Sequence, residues 1–113
     1  MTLPNGSGLR TECFIYELVP GQGHAYDQYH ANVWPEVLHA LRASGITDYS
    51  IYRRGNLVIS VRTRDPSTPP PQLPPEVEQK VADWGRTMAP LFVSAADADG
   101  QPLYAERIFS LDP

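Results

Sequence analysis

The clearest signals of secondary structure lie in PEVLHALRASGITDYSIYRRGNLVISVRT, residues 35–63. This stretch opens on a proline, which suits the first turn of a helix, and its next apolar residues follow a helical period. Gly45 is the expected left-handed cap that ends this helix. Residues 46–53 and 56–63 are rich in β-branched and aromatic types, and Arg54-Gly55 between them is a two-residue turn signal. The stretch therefore predicts a helix followed by a β-hairpin.

The segments on either side extend this pattern to the order β-α-β-β-α-β. The helical pattern before Pro35 breaks at residues 32–34, because proline lacks the hydrogen bond donor that a continuous helix needs there. The other predicted elements are strands at residues 12–19 and 103–111 and helices at residues 24–43 and 76–88, the second opened by Pro75. This order predicts an α+β, ferredoxin-like fold, in which a four-stranded antiparallel sheet carries both helices on one face.

The residues on the other face of that sheet indicate that a second protein chain covers it. Residues 13–19 and 57–61 carry apolar side chains on both faces of their strands. Helices can cover one of the two faces, and a large apolar face rarely stays exposed. We therefore expect a homodimer, in which two copies close their sheets face to face into a dimeric α+β barrel.

Length and composition restrict the function further. The 113 residues suit a single domain, predicted at residues 12–113 behind a flexible lead at residues 1–11. A net charge of −4 with scattered basic residues argues against nucleic acid, and no apolar run approaches the ~20 residues that span a membrane. The sequence has one cysteine, three histidines without metal-ligand spacing and no phosphate-binding glycine motif, so we expect neither metal nor organic cofactor. The lone cysteine favours a cytoplasmic location.

The richest candidate for chemistry is YDQYHANVWPE, residues 26–36. Tyr26 and His30 are four residues apart, which places them on one face of a helix and within reach of each other. Imidazole titrates near neutral pH and suits proton transfer to and from oxygen, and a neighbouring phenol can orient a hydroxyl group. The same spacing is also expected of a pair that only packs the helix against the sheet, so spacing alone leaves both interpretations open.

Three motifs together resemble the L-rhamnose mutarotase family: Y-x-x-x-H-x-x-x-W-P-E from residue 26, GITDYSIY from residue 45 and W-x-x-x-M-A-P-L from residue 84. The resemblance implies a dimeric ferredoxin-like enzyme that interconverts the α and β anomers of L-rhamnose without metal or organic cofactor. It implies that His30 is catalytic and acts with Tyr26. It also implies that Tyr26, Tyr49 and Trp84 contact the sugar, and Trp34 of the first motif is a further expected contact.

The sequence departs from the family at Gly85, where the resemblance would place a second tryptophan. A missing ring opens space beside Trp84 unless neighbours refill it, so Gly85 predicts an altered substrate or a repacked wall. Two functions of other classes stay open at this stage. One is a cofactor-free oxygenase or cyclase acting on an aromatic or polyketide molecule in the same dimeric fold, and the other is a non-catalytic binding dimer.

Overall fold

An antiparallel sheet with helices packed on one side positions every residue discussed below. The computed structural model describes residues 8–94 and 96–112. Its elements in chain order are β1 (Arg10–Leu18), α1 (Gly23–Ala31), α2 (Pro35–Ala43), β2 (Ile46–Arg54), β3 (Leu57–Arg64), α3 (Pro75–Met88), a 3₁₀ turn (Ala89–Leu91), β4 (Phe92–Ser94) and β5 (Leu103–Ala105). The predicted α+β class and antiparallel sheet are confirmed.

Local signals in the sequence account for the boundaries of α1 and α2. α1 ends at Ala31 and α2 begins at Pro35, so the predicted break at residues 32–34 is confirmed. Gly45 follows α2 with φ +89°, a conformation that glycine adopts without strain. A β-carbon at Gly45 would also approach the carbonyl oxygen of Asp65 to 2.8 Å. Glycine at this corner therefore both ends α2 and lets the proline-rich loop pack closely against it.

The sheet order is β2-β3-β1, with β4 and β5 both paired to the remaining edge of β1. All four pairings are antiparallel. In the register of β1 and β3, Phe14 lies opposite Ser60 and Tyr16 opposite Val58. Directly opposed residues share a face of the sheet. Phe14, Ser60 and Val58 are buried, so this is the face that the helices cover.

The hydrophobic core lies between this face and the helices. It joins Leu18 and Val58 of the sheet to Tyr26 of α1, Met88 of α3 and Leu91 of the 3₁₀ turn. Leu18 and Val58 are completely buried, because they sit on the two central strands under the helices. Trp84 and Phe92 pack against this cluster from its edge. The core therefore ends at the aromatic residues that border the candidate site.

The predicted four-stranded sheet is wrong, because the fourth strand position is filled in two pieces. β4 pairs with β1 at Glu17 and Leu18, and β5 pairs with it at residues 13–15. The polar segment between β4 and β5 turns back on itself, with the Asp97 carboxylate accepting bonds from the backbone of Asp99 and Gln101. These local hydrogen bonds compete with the sheet ladder and divide the strand.

Two further strand predictions need correction. The last strand was expected over residues 103–111 but ends at Ala105, after which Ile108, Phe109 and Leu111 are largely exposed. Their composition suits a strand, but the described part of this chain offers them no cover. The hairpin turn lies at Gly55-Asn56 and not at Arg54-Gly55, because Arg54 still pairs with Leu57. Gly55 supplies the positive φ, +58°, that opens the two-residue loop.

The outer face of the sheet is apolar. Ile15 of β1 lies opposite Ile59 of β3 on this face, and Tyr52 of β2 lies opposite Ile59 in turn. Ile15 is 38% exposed and Tyr52 is 61% exposed. The helices pack on the other side, so within the described residues nothing covers these side chains.

Candidate active site

The Tyr26–His30 pair predicted from the sequence is formed within α1. The two rings stack with their centroids 4.0 Å apart and an angle of 25° between their planes. His30 Nδ1 lies 2.9 Å from the backbone oxygen of Tyr26. Because a carbonyl oxygen can only accept, Nδ1 carries a proton and donates it there. In the neutral imidazole, Nε2 is then the basic nitrogen and is available to exchange a proton with a bound molecule.

Trp84 of α3 also packs against His30. Its ring meets the imidazole edge-on, with the centroids 5.5 Å apart. Trp34 and Tyr29 hold the indole from behind, with centroid distances to Trp84 of 5.1 and 6.3 Å and edge-to-face geometry. Such aromatic pairs contribute stability beyond the area they bury. The aromatic cluster therefore fixes the indole as a wall beside the imidazole.

One open cavity of about 360 Å³ joins these side chains to the sheet. This volume lies in the range of roughly 300 to 1,000 Å³ that is typical of small-molecule sites. Its lining residues are Tyr16, Tyr26, His30, Tyr49, Ile51, Trp84, Gly85, Met88, Ala89 and Phe92. Helix α1 provides the imidazole, α3 provides the indole wall, and strands β1 and β2 provide the floor.

Gly85 lines the cavity but contributes no side chain to its wall. A β-carbon built on it would meet no atom within 4 Å, and its φ is not positive. Neither the backbone nor a close contact therefore requires glycine here. Glycine inside a helix costs about 0.5–1 kcal/mol relative to alanine. The position next to Trp84 is thus open space, because no side chain of the described residues lies within 4 Å of that β-carbon.

Three phenols border the cavity in neutral form. Burial raises the pKa of Tyr26, and the nearby phenols of Tyr49 and Tyr16 raise it further. Burial likewise raises the pKa of Tyr16 to about 12, with Tyr49 adding to the shift. Burial raises the pKa of Tyr49 as well, although the adjacent Ser60 hydroxyl and the charge of Arg62 lower it. These hydroxyls stay protonated around neutral pH and can both donate and accept hydrogen bonds.

An ion pair ties the helix that carries His30 to the strand that carries Tyr49. Arg53 of β2 donates to both carboxylate oxygens of Asp27 on α1, at 2.7 and 2.5 Å, and to the backbone oxygen of Gly55 at 2.8 Å. The guanidinium passes so close to Gly23 that a β-carbon there would lie 2.6 Å from Nη1. Asp27 is 46% exposed, and its partner lies 26 residues away along the chain.

A second charged cluster lies on the same sheet face beyond the cavity. Glu12 of β1 accepts from Arg62 Nε at 2.9 Å and from Arg64 Nη2 at 3.2 Å, both on β3. The Arg62 guanidinium carbon also lies 4.9 Å from the centroid of Phe14. This cluster holds β1 and β3 in register and keeps the two arginines engaged with a carboxylate.

The structure brings five of the six predicted site residues together in one cavity, namely Tyr26, His30, Tyr49, Trp84 and Gly85. Trp34 is the exception, because it supports the indole of Trp84 from behind and does not line the cavity. Trp34 immediately precedes α2 and Trp84 belongs to α3, so the packing of α2 on α3 decides which of the two faces the cavity.

Five lining residues were not among those predicted: Tyr16, Ile51, Met88, Ala89 and Phe92. Simple periodicity could have found most of them. Tyr16 alternates with Phe14 and Leu18 on one strand face, and Met88 and Ala89 follow Trp84 and Gly85 by one helical turn. Phe92 lies on β4, a strand that was not among the predicted elements, so sequence periodicity carried no signal for it.

Two features of the described residues bear on other classes of function. Within residues 8–94 and 96–112, no three His, Cys, Asp or Glu side chains are grouped so that they could hold a metal ion. None of the helices in the described ranges is long and apolar enough to cross a membrane.

Comparison with known proteins settles the family. The model of the L-rhamnose mutarotase family matches residues 11–111 of this chain. This chain belongs to the L-rhamnose mutarotase family. The resemblance inferred from the three motifs is confirmed, and so is the predicted enzyme class, an isomerase that acts on carbohydrates.

Individual members of the mutarotase family match over nearly the whole chain. An L-rhamnose mutarotase of Acidiphilium cryptum strain JF-5 is 32% identical over 101 residues, covering 87% of this chain and 94% of that protein. One from Rhizobium leguminosarum bv. trifolii is 30% identical over 102 residues, covering 88% and 92%. The crystal structure of an L-rhamnose mutarotase from Formosa agariphila has a TM-score of 0.64 at 22% identity, over 90% of this chain and 98% of that one. This last similarity supports the fold.

Proposed function

We propose that this mutarotase family member interconverts the α and β anomers of L-rhamnose or a closely related reducing sugar, with His30 as the proton-transfer group. The observation that carries the proposal is the stacked Tyr26–His30 pair, which opens into a cavity with an indole wall and phenol hydroxyls. A reducing sugar needs these two surfaces, because it presents hydroxyl groups around its ring and C–H groups on its faces.

The proton path follows from the fixed tautomer of His30. Nδ1 is engaged with the Tyr26 carbonyl, so Nε2 accepts the proton of the anomeric hydroxyl. The electrons of that O–H bond form the C1=O bond, the bond from C1 to the ring oxygen breaks, and the ring oxygen takes the proton from Nε2. Rotation about C1–C2 presents the other face of the aldehyde, and the reverse steps close the opposite anomer. Both oxygens are bonded to C1 in the cyclic sugar, so one imidazole can serve both.

The cavity favours a neutral sugar. Its described lining residues are aromatic, aliphatic or hydroxyl-bearing, and none carries a permanent charge. The arginine cluster on this sheet face, Arg62 with Arg64, is engaged with Glu12. A sugar phosphate would need a cation or a helix N-terminus in contact with its phosphate. We therefore propose that Tyr26 and Tyr49 bind sugar hydroxyls while the Trp84 ring lies against C–H groups.

Gly85 supports a substrate that is larger than a plain hexose on one side. The open space next to Trp84 adjoins the proposed sugar-binding wall, and no atom of the described residues lies within 4 Å of a β-carbon built on Gly85. We propose that this space receives a substituent of the sugar, at a position other than the anomeric hydroxyl. The helix tolerates the loss of stability that glycine brings, which fits a position where room matters more than helix propensity.

We further propose that the protein works as a homodimer closed through the outer sheet face. Ile15, Ile59 and Tyr52 form a contiguous apolar surface there, and the helices are on the opposite side. A second copy of the same face offers an apolar surface of the same extent, as the two-fold symmetry of most homodimers requires.

Magnetization exchange between the anomeric proton signals tests the activity. The protein is added to a panel of reducing sugars that includes L-rhamnose, L-fucose and derivatives with a substituent on one hydroxyl, and exchange is compared with the spontaneous rate. We expect accelerated exchange for L-rhamnose or a substituted relative of it. If exchange is unchanged for every sugar while the folded protein binds aromatic compounds in this cavity, the mutarotase proposal is wrong and an oxygenase or cyclase gains support.

A further inference from the structure

Tyr16 is a cavity residue that neither the sequence motifs nor the family comparisons assign. It lies on β1, the central strand that pairs with β3 on one edge and with β4 and β5 on the other. Its register partner Val58 is completely buried, which fixes this part of the strand. Its ring packs against Phe14 and Phe92, with centroid distances of 5.4 and 4.9 Å. The ring is therefore held on both sides by aromatic residues, and its orientation is set by the core.

The hydroxyl of Tyr16 is available to a ligand. No hydrogen bond joins it to another residue within the described ranges, and among those residues Ser60 Oγ is the one fully buried side-chain polar atom without a partner. The Tyr16 oxygen is thus not sealed in the core, and the residue lines the cavity. Burial and the nearby Tyr49 phenol keep its pKa near 12, so it is a neutral hydroxyl at any ordinary pH.

The position of Tyr16 complements the two phenols already described. Tyr26 belongs to α1 and Tyr49 to β2, whereas Tyr16 comes from β1 on the far side of β3. The ring of Phe92 packs against both Tyr16 and Tyr26, with centroid distances of 4.9 and 6.0 Å. The cavity is therefore bordered by hydroxyl groups from three separate elements. A pyranose directs its hydroxyls outward in several directions, and donors on three elements can meet more of them than donors on one.

We infer that Tyr16 is a specificity-determining residue whose hydroxyl binds one hydroxyl of the sugar. The inference rests on the proposed function, because it takes the ligand to be a reducing sugar in this cavity. The hydroxyl acts on recognition and not on the proton transfer that His30 performs. A site that hydrogen-bonds a substrate hydroxyl discriminates against analogues that lack it, because its own polar group is then left without a partner.

Tyr16→Phe removes the hydroxyl and keeps the ring contacts with Phe14 and Phe92. We expect KM and the Kd of the sugar to rise about tenfold, the upper range for a neutral hydrogen bond, while kcat falls by a smaller factor. The matched control is Tyr104→Phe. Tyr104 also meets the ring of Phe14, at 5.9 Å, and shares the sheet face, but it lies outside this cavity. The control is expected to leave KM and Kd at the wild-type values.

Deoxy sugars separate recognition from packing. Kd is measured for wild type and Tyr16→Phe by titrating the tryptophan fluorescence with the preferred sugar and its single-deoxy analogues. We expect one analogue to bind wild type more weakly than the parent sugar but to bind Tyr16→Phe as well as the parent does. The inference is overturned if Tyr16→Phe keeps the wild-type Kd, or loses affinity for every analogue equally, while wild type still turns over the sugar. If wild type accelerates no sugar at all, the proposed function fails first and takes this inference with it.

Discussion

His30 donates its Nδ1 proton to the backbone oxygen of Tyr26, one helical turn earlier, at 2.9 Å. The same two residues stack their rings 4.0 Å apart. The bond to the backbone orients the imidazole and selects its tautomer, and the stack limits the movement of both rings. A catalytic imidazole needs this kind of support, because proton transfer requires the basic nitrogen to be held at hydrogen-bond distance from the reacting oxygen.

The Tyr26→Phe variant tests the phenol hydroxyl of Tyr26 alone, because the ring and the backbone of Tyr26 that orient His30 are unchanged. The variant keeps the ring stack and the backbone carbonyl that accepts from Nδ1, and loses only the phenol oxygen. We expect kcat/KM for anomer exchange to fall about tenfold, the effect of losing one hydrogen bond to the sugar, with an unchanged circular dichroism spectrum. A loss as complete as that of a His30 variant would instead make the Tyr26 hydroxyl a second proton-transfer group.

Gly85 substitutions test the open wall of the cavity. Gly85→Ala adds a methyl group that meets no atom within 4 Å, so we expect a gain in unfolding free energy of about 0.5–1 kcal/mol in a urea titration. Gly85→Trp fills the space, so substituted sugars should lose turnover more than L-rhamnose does. Equal effects of Gly85→Trp on plain and substituted sugars would contradict a substituent site.

The dependence of stability on pH tests the Glu12 cluster. Burial would raise the pKa of Glu12, but bonds from Arg64 and Arg62 and their charges outweigh it and lower the pKa below its usual 4.5. A carboxyl with a lowered folded-state pKa stabilises the fold above its unfolded pKa and loses this contribution as the pH falls through the folded value. We therefore expect Glu12→Gln to melt several degrees below wild type at pH 7.

That difference between Glu12→Gln and wild type should disappear at a pH below the lowered pKa of Glu12, where the wild-type carboxyl is also protonated. Glu106→Gln, at an exposed position, is the control and should melt like wild type at both pH values. If the melting temperature of Glu12→Gln is below that of wild type by the same amount at both pH values, the loss of stability comes from packing and not from charge.

A charged substitution on the outer sheet face tests the proposed homodimer. Ile15→Lys places a charge in the centre of the proposed interface, so we expect light scattering to give the 12.6 kDa mass of one chain in place of twice that mass for wild type. Ala82→Lys adds the same charge to an exposed position on α3, across the molecule, and should leave the dimer intact. A wild-type protein that is monomeric at micromolar concentration would contradict the proposed dimer.

Features set by neighbouring residues could be predicted from the sequence, and features set by distant partners could not. Pro35 and Gly45 act on their own turns of backbone, and both ends of α2 were therefore placed correctly. The divided strand position of β4 and β5 depends on pairing with β1, more than 70 residues earlier in the chain. The partner of Asp27 likewise lies on another element, so its spacing along α1 contained no sign of Arg53.

The candidate site shows the same division. Tyr26 and His30 meet because of helical spacing alone, and the motifs identified them together with Tyr49 and Trp84. Trp34 was expected to contact the sugar but only supports Trp84. Tyr16 was not predicted as a site residue, yet it lines the cavity. Which of two aromatic residues reaches a cavity is decided by how α2 and β1 pack against their neighbours, and spacing within a single element does not carry that information.

Nε2 of His30 is the group proposed to move the proton between the anomeric and ring oxygens. The most direct measurement is saturation transfer between the two anomeric proton signals of the preferred sugar, with wild type and His30→Ala at equal concentration and matched circular dichroism. We expect exchange well above the spontaneous rate for wild type and a fall of about 10²- to 10⁴-fold for His30→Ala. A folded His30→Ala protein that exchanges the anomers at the wild-type rate would contradict this role of His30.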